Sequence, residues 1–502
     1  MTYYKCASIF RGVQRPQELF DREWEWKALA RFATEATAEA TLGVVSGRRR
    51  QGKSLLLQLL CEATGGFYHG ALAAAEGDAR RRLGVELAAY LGAPAPLSFT
   101  DWSEAVGALM SLGSERSAVV VLDEFPHLAR AVPALPSILQ GAFAPRSKAR
   151  LGNRTRLILC GSALSFMGRL LAGEAPLRGR ASLDLRIHSF DFRQAAAFWG
   201  LERWPGLALR VHAVVGGTPA YRRELVSGDA PAGPEDFDDW VARTVLNPAV
   251  PLFREGRYLL AEEPDLRDTA LYHSVLAAVA EGRTTRGAIA GALGRRSTDI
   301  GHPLTVLEDA GYLVKREDVF RPRRPTWQIV EPIIRFYHAI VRPAWAQLER
   351  PGRAEAVWAR ARPTFEGSIL GPHFEELARR WTLRFAGAET LGGEVGEVGA
   401  GVVHDPKTRT SHQIDVVAFA RAAEGGRSAL LLGEAKWGRR MDGGDLARLR
   451  RARAILGQRG VVGVGNCRLA CFSGAGFARE LRAAERAGEV LLVDLERLYR
   501  GD

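Results

Sequence analysis

The stretch that most constrains this chain is Gly47-Arg48-Arg49-Arg50-Gln51-Gly52-Lys53-Ser54, set between two apolar runs. Thr41–Ser46 before it reads as a short buried strand, and Leu55–Leu60 after it reads as a buried helix. Strand, glycine-rich turn and helix in that order form a phosphate-binding loop. Gly47 and Gly52 let the backbone turn so that the N–H groups of the loop (Arg48, Arg49, Arg50, Gln51) point inward at phosphate oxygens. The helix that starts near Lys53 adds the positive end of its dipole. Lys53 is placed to reach the β- and γ-phosphates of ATP, and Ser54 to put its hydroxyl on Mg²⁺. The competing reading is a basic turn with no ligand, and the flanking elements weigh against it.

Two further strands are expected to serve the same site. Ser117–Leu122 is β-branched and apolar and ends in Asp123-Glu124, the pattern of a buried parallel strand that delivers carboxylates at its tip. Asp123 would hold Mg²⁺ through water, and Glu124 would polarise the attacking water. Thr155–Gly161 is a similar strand with Ser162 at its tip, placed to sense the γ-phosphate. Arg178 and Arg180 flank Gly179 in a short segment, where they are either arginine fingers reaching a second copy of the chain or a solvated basic turn. Phe20–Phe32 has helical spacing. Its Asp21-Arg22-Glu23 either lies near an adenine base or is the charged first turn.

The loop at 47–54, Asp123-Glu-Phe-Pro126, Leu159-Cys-Gly-Ser162, Leu177-Arg-Gly-Arg180 and Gly216-Gly-Thr-Pro219 together resemble the archaeal-type P-loop ATPase family, of the AAA+/STAND kind. The resemblance covers the first half of the chain. It implies an α/β ATPase core followed by a helical lid, here expected over 1–262.

From about 263 the texture changes. Leu271–Ala280, Thr284–Leu293 and Ser297–Ala310 read as helices. Gly311–Arg316 and Thr326–Val330 read as strands around a basic loop with Arg321, Arg323 and Arg324. Three helices and a hairpin describe a winged helix-turn-helix over 263–345, with Arg295 and Arg296 beside its third helix. These cations suit the phosphates of double-stranded DNA, although such modules also serve as packing units. Pro303 places the start of the third helix at His302-Pro303, because proline is tolerated only in a first turn.

The last constellation lies within 356–502. His412–Phe419 and Ala429–Trp437 read as paired strands separated by the glycine-rich turn Glu424–Arg427. Alternation puts Glu434 and Lys436 on one face, and hairpin pairing brings Asp415 beside them. Two carboxylates on Mg²⁺ with a lysine that orients water suit metal-assisted phosphodiester hydrolysis. Glu375 or Glu376, on the helix His373–Arg380, adds a further acid. A solvated pair on a sheet face is the plainer alternative. Ile414–Ala418, Gly433–Trp437 and the junction Phe472–Phe477 resemble the PD-(D/E)XK nuclease superfamily, and within it the poorly characterised C-terminal domain fused to archaeal-type ATPases. That resemblance implies an α/β restriction-endonuclease-like fold. It departs at Ile414, where a proline often precedes the first acid.

Composition adds little. Lys and Arg number 69 against 57 Asp and Glu, a net charge of +12 that suits a polyanionic partner, though the arginine excess also fits a GC-rich genome. Five scattered cysteines (Cys6, Cys61, Cys160, Cys467, Cys471) read as reduced thiols. No signal-like start and no membrane-length apolar run is found, so a cytoplasmic protein without membrane contact is expected.

Overall fold

The computed structural model describes residues 13–261, 269–421 and 426–502. Cys6, the 262–263 boundary and Glu424-Gly425 of the glycine-rich turn lie outside the described residues. The chain divides into two compact units, Met1–Ser189 and Phe190–Asp502. The division between the units falls within 1–262, the stretch that the sequence reads as ATPase core and lid.

In the first unit, β1 (Thr41–Ser46), β2 (Phe67–Gly70), β3 (Ala118–Asp123), β4 (Thr155–Gly161) and β5 (Ala181–Arg186) form a sheet in the order β2-β3-β4-β1-β5. Every neighbouring pair is parallel. Parallel strands covered on both faces need apolar side chains on both, and β3 and β4 are buried along their whole length. Leu42, Val44, Val120, Leu122 and Leu159 face the helices Glu76–Leu91, Trp102–Ser111 and Phe125–Ala131. Val45, Val119, Val121, Ile158 and Cys160 face Glu23–Thr34 and Lys53–Thr64. Because the strands run the same way, the loop after β1, the acids after β3 and Ser162 after β4 all leave one edge of the sheet.

The second unit contains the helices Thr269–Ala280, Arg286–Ala292 and Ser297–Asp309, followed by a hairpin of β6 (Leu313–Asp318) and β7 (Arg321–Ile329). The third helix starts at Ser297 and runs through Pro303, not from His302-Pro303 as the sequence suggests. Pro303 is buried beside Ile300, Leu304 and Leu307 on the helix's packed face, and that burial outweighs one lost backbone hydrogen bond. Arg321, Arg323 and Arg324 lie within β7, not in a loop.

β8 (Val395–Asp405), β9 (Thr410–Ala420), β10 (Ala429–Lys436), β11 (Arg468–Ser473) and β12 (Leu491–Val493) continue from that hairpin as one sheet, β12-β11-β10-β9-β8-β6-β7. The join is made by the hairpin's tip. Val319 N donates to Ala400 O (3.0 Å), and the Asp318 carboxylate accepts from Val402 N (2.9 Å). A Cβ on Gly399 would lie 2.5 Å from Val319, and one on Gly401 2.4 Å from the Phe320 ring. Glycine at both positions lets the tip press onto β8. Helix Gly443–Gln458 covers one face of the sheet through Leu446, Leu449 and Leu456. Helix Gly371–Arg384 brings Trp381 against Phe472 of β11, with ring centroids 5.8 Å apart.

Candidate functional sites

The first site is built on the loop between β1 and helix Lys53–Thr64. Gly47 has φ 157°, and a Cβ there would meet the Ile187 carbonyl oxygen at 2.5 Å. Gly52 caps the helix in the left-handed region (φ 86°). Both positions therefore need glycine. Lys53 is buried, and its Nζ donates across the loop to the Arg48 carbonyl at 2.9 Å. Burial lowers the Lys53 pKa, against the opposing pull of Cys160, Glu124 and Asp123. A buried ammonium resting on a neutral carbonyl, behind a helix N-terminus, fits an anionic phosphate. Arg22, at the start of helix Glu23–Thr34, donates to the Gln51 carbonyl (3.2 Å) and pairs with Glu25 (2.8 Å). Arg22 thus braces the loop from the start of that helix.

Asp123 is buried and well supplied with donors. Tyr68 Oη donates to its Oδ2 (2.6 Å) and Glu124 N to its Oδ1 (2.8 Å), while Ser54 and Cys160 also hydrogen-bond it. Burial alone would raise its pKa, but these donors outweigh burial and hold the carboxyl below its ordinary range. Glu124 takes a left-handed backbone (φ 51°) at the cap of helix Phe125–Ala131. That conformation turns the chain sharply off the strand, at about 1–3 kcal/mol of local strain. Both Glu124 carboxylate oxygens accept from Ser162 Oγ at 3.2 Å. The residue expected to sense phosphate therefore touches the one expected to polarise water. Arg178 is exposed and donates to Gly173 O of its own turn (2.8 Å), and Arg180 is half-buried beside it.

The second site lies on β9 and β10. Gly399 pairs with Val417 and Gly401 with Ile414, so two steps on β8 oppose three on β9. The extra residue is a bulge at Asp415-Val416, a device that re-aims a side chain. Asp415 Oδ2 accepts from Ala435 N (3.0 Å) and Oδ1 from Gln413 Nε2 (3.1 Å). Lys436 Nζ stands 2.7 Å from Glu434 Oε1 and 3.5 Å from Asp415 Oδ2. Burial pulls the ammonium down, but Asp415 and Glu434 outweigh it and hold it above its usual value. Burial, then Asp415, pushes Glu434 up. The same two causes push Glu375 up to about 7, with the charges of Lys436 and Glu434 also acting on it. Glu376 points to other partners: Arg316 of β6 (2.8 Å), Arg379 (3.1 Å) and Arg380 (3.2 Å). Of the two acids on this helix, Glu375 is the one that feels the Asp415 charge. Arg379 also donates to the Asp415 carbonyl (2.8 Å).

Among the described residues, no three His, Cys, Asp or Glu side chains group as a metal cage. A hydroxyl and a carboxylate (Ser54, Asp123) at the first site and two carboxylates (Asp415, Glu434) at the second are oxygen donors of the kind Mg²⁺ takes beside water and substrate oxygens. Among the described residues, no helix is long and apolar enough to cross a membrane. Cys61, Cys160, Cys467 and Cys471 are free and buried.

No protein-family model matches the chain. An uncharacterised protein of Methanocaldococcus jannaschii is 25% identical over 333 residues, 66% of this chain and 70% of that one. Among solved structures, a Walker-type ATPase of Pyrococcus abyssi is 22% identical, covering 66% of this chain and 99% of its own, with a TM-score of 0.48. The ORC2 protein of Aeropyrum pernix is 16% identical, covering 70% and 97%, with a TM-score of 0.41.

Sequence reasoning missed Tyr68, which sits 55 residues from Asp123 and reaches it only because β2 pairs with β3, Gly70 level with Asp123. It also missed the bracing role of Arg22 and the hold of Arg379 on β9. None of the three belongs to a spacing pattern.

Proposed function

We propose that this chain binds and hydrolyses ATP in its first unit and acts on double-stranded DNA through its second, where a Mg²⁺-dependent centre cuts phosphodiester bonds under control of the nucleotide state. The observation that carries the ATPase reading is the meeting of a buried Lys53, a donor-saturated Asp123 and the Glu124–Ser162 pair at one sheet edge. Lys53 and the loop N–H groups would bind the triphosphate, Glu124 would take the proton of the attacking water, and Ser162 would orient Glu124 and feel the γ-phosphate. When bound, Mg²⁺ would neutralise phosphate charge, held by Ser54 and Asp123 in the first unit and by Asp415 and Glu434 in the second. Lys436 would orient water at the second centre, and Glu375, its carboxyl poised to about 7, would accept a proton there. The three helices and the β6–β7 hairpin we take as a winged helix-turn-helix, whose exposed Arg295, Arg296, Arg323 and Arg324 would meet DNA phosphates. Arg178 and Arg180 would act in trans if copies of the chain assemble.

The Lys436–Glu434 ion pair favours a second reading, in which the ammonium keeps the C-terminal centre silent and the chain is an ATP-driven switch or scaffold on DNA. Cleavage assays with Mg²⁺, with and without ATP, separate the two. The nuclease reading expects cutting that disappears in Asp415→Ala and Glu434→Ala, and ATP turnover that disappears in Lys53→Ala. A parent protein that never cuts leaves the switch. Cutting that ignores both ATP and Lys53→Ala removes the coupling.

A further inference from the structure

Beside the Asp415–Glu434–Lys436 centre lies a cluster of charges that the reading above does not use. Asp445, in the first turn of helix Gly443–Gln458, is almost wholly buried, yet it carries two arginines. Arg439 Nη1 donates to Asp445 Oδ2 at 2.9 Å, and Arg448 Nη2 donates to Oδ1. Arg448 Nη2 also stands 3.5 Å from Glu434 Oε1. The carboxylate between the arginines is itself fixed, because Asp445 and Asp442 cap the helix reciprocally, Asp442 N donating to Asp445 Oδ2 at 3.0 Å.

Capping the helix needs only the two aspartates. The arginines do something more: anchored on Asp445, with Arg448 also facing Glu434, their side chains stay 45% and 48% exposed. Guanidinium groups anchored on one edge present their remaining N–H donors outward in a fixed fork. That fork matches the paired oxygens of a phosphodiester, the anion that the neighbouring centre is read as handling. Preorganisation by a buried carboxylate removes much of the ordering penalty that a flexible arginine would meet on binding.

We propose that Arg439 and Arg448 form a phosphodiester-binding subsite that holds the nucleic-acid backbone against the Glu434 side of the C-terminal centre. The subsite rests on the reading of that centre as a nucleic-acid site, but its binding step is separable from cutting. Arg448 is the inner contact, since it reaches toward Glu434, and Arg439 the outer one.

The test is duplex binding by the full chain in EDTA, where no metal-dependent cutting occurs, read by fluorescence anisotropy of a labelled duplex over a range of salt. Arg448→Ala and Arg439→Ala are each expected to weaken binding about tenfold and to reduce the slope of log affinity against log salt by about one. Arg448→Lys is expected to restore the slope and only part of the affinity, because lysine supplies charge without the fork. Arg450→Ala, which removes an exposed cation paired with Glu489 on the same helix, is the control and should change neither. Circular dichroism checks folding, and if either alanine variant fails to fold, Arg448→Lys and Arg439→Lys carry the comparison. Unchanged affinity and slope in the Arg448 and Arg439 variants would overturn the proposal, as would a parent protein that binds no duplex. Arginine-dependent binding by a parent that never cuts with Mg²⁺ would keep the subsite and remove the cleavage reading instead.

Discussion

Tyr68→Phe takes a single hydroxyl from the acid at the heart of the proposed nucleotide site. Tyr68 Oη donates to Asp123 Oδ2 at 2.6 Å, and Asp123 is only 2% exposed. A hydrogen bond to a charged, buried group contributes about 1.5–3 kcal/mol. The phenylalanine ring keeps the apolar packing against the cluster around Val121 and Leu60, so the loss falls on the carboxylate. Asp123 keeps the Glu124 amide, Ser54 and Cys160, which places the expected loss near the middle of that range, about 2 kcal/mol. In a unit of this size that is a fall of about 4–8 °C in Tm. The sign with pH follows from the carboxyl's position below its ordinary range. The parent carries this stability at neutral pH and loses it as pH falls through the folded-state pKa of Asp123, so parent and variant should converge in acid. Calorimetry reads the effect on the transition that Mg·ATP moves upward, since a ligand of the folded state shifts only the unit it binds. Combined with Asp123→Asn, the pair should show a coupling of about 1–2 kcal/mol. Equal Tm values for parent and Tyr68→Phe, or strictly additive losses in the double variant, would show that the hydroxyl does not stabilise the Asp123 carboxylate.

Three further predictions follow from other parts of the molecule. Glu124→Gln should leave nucleotide binding within a few-fold of the parent while turnover falls by about 10²–10⁴, because only the proton acceptor is removed; phosphate-release kinetics beside nucleotide titration checks this. Glu375, held up to about 7 by burial and Asp415, keeps a proton in the folded state that the unfolded chain has lost, so the parent should lose stability as pH rises from 4.5 toward 7. Glu375→Gln should flatten that decline in thermal melts, and identical pH profiles would contradict it. Gly401→Ala forces a methyl group to within 2.4 Å of the Phe320 ring, so the hairpin tip should loosen from β8 at about 1–3 kcal/mol. Faster amide exchange at Val319 and Val402 is the expected signature, and unchanged exchange would exclude it.

Local features of both sites were legible where chemistry is written in contiguous residues. Gly47 through Ser54, Asp123-Glu124 and Ser162 lie at strand tips that parallel pairing brings to one edge, and apolar runs announce those strands. The pairing of β9 with β10 followed from two apolar strands and a short turn, which put Asp415 within reach of Glu434 and Lys436. Contacts between distant residues were not legible. Tyr68 reaches Asp123 through strand order, and strand order in a parallel sheet is decided by packing that no local pattern encodes. The choice between Glu375 and Glu376 depended on which face of their helix meets β9 and which meets Arg316. The tip of the β6–β7 hairpin is polar and basic in sequence, and its docking onto β8 rests on two glycines some 80 residues later, whose missing side chains make the room. Pro303 misled because the hydrogen bond that an interior proline forfeits is offset here by burial of its ring on the packed face.

Two separate centres on one chain, each holding a divalent ion between an acid and its partner, are what the proposed function requires. Anomalous scattering from crystals soaked with Mn²⁺ and a non-hydrolysable ATP analogue decides the matter. One peak is expected between Ser54 and Asp123 and a second between Asp415 and Glu434, with Lys436 moved off Glu434. A map with Lys436 still on Glu434 and no peak at the second centre would rule out the metal-dependent C-terminal centre.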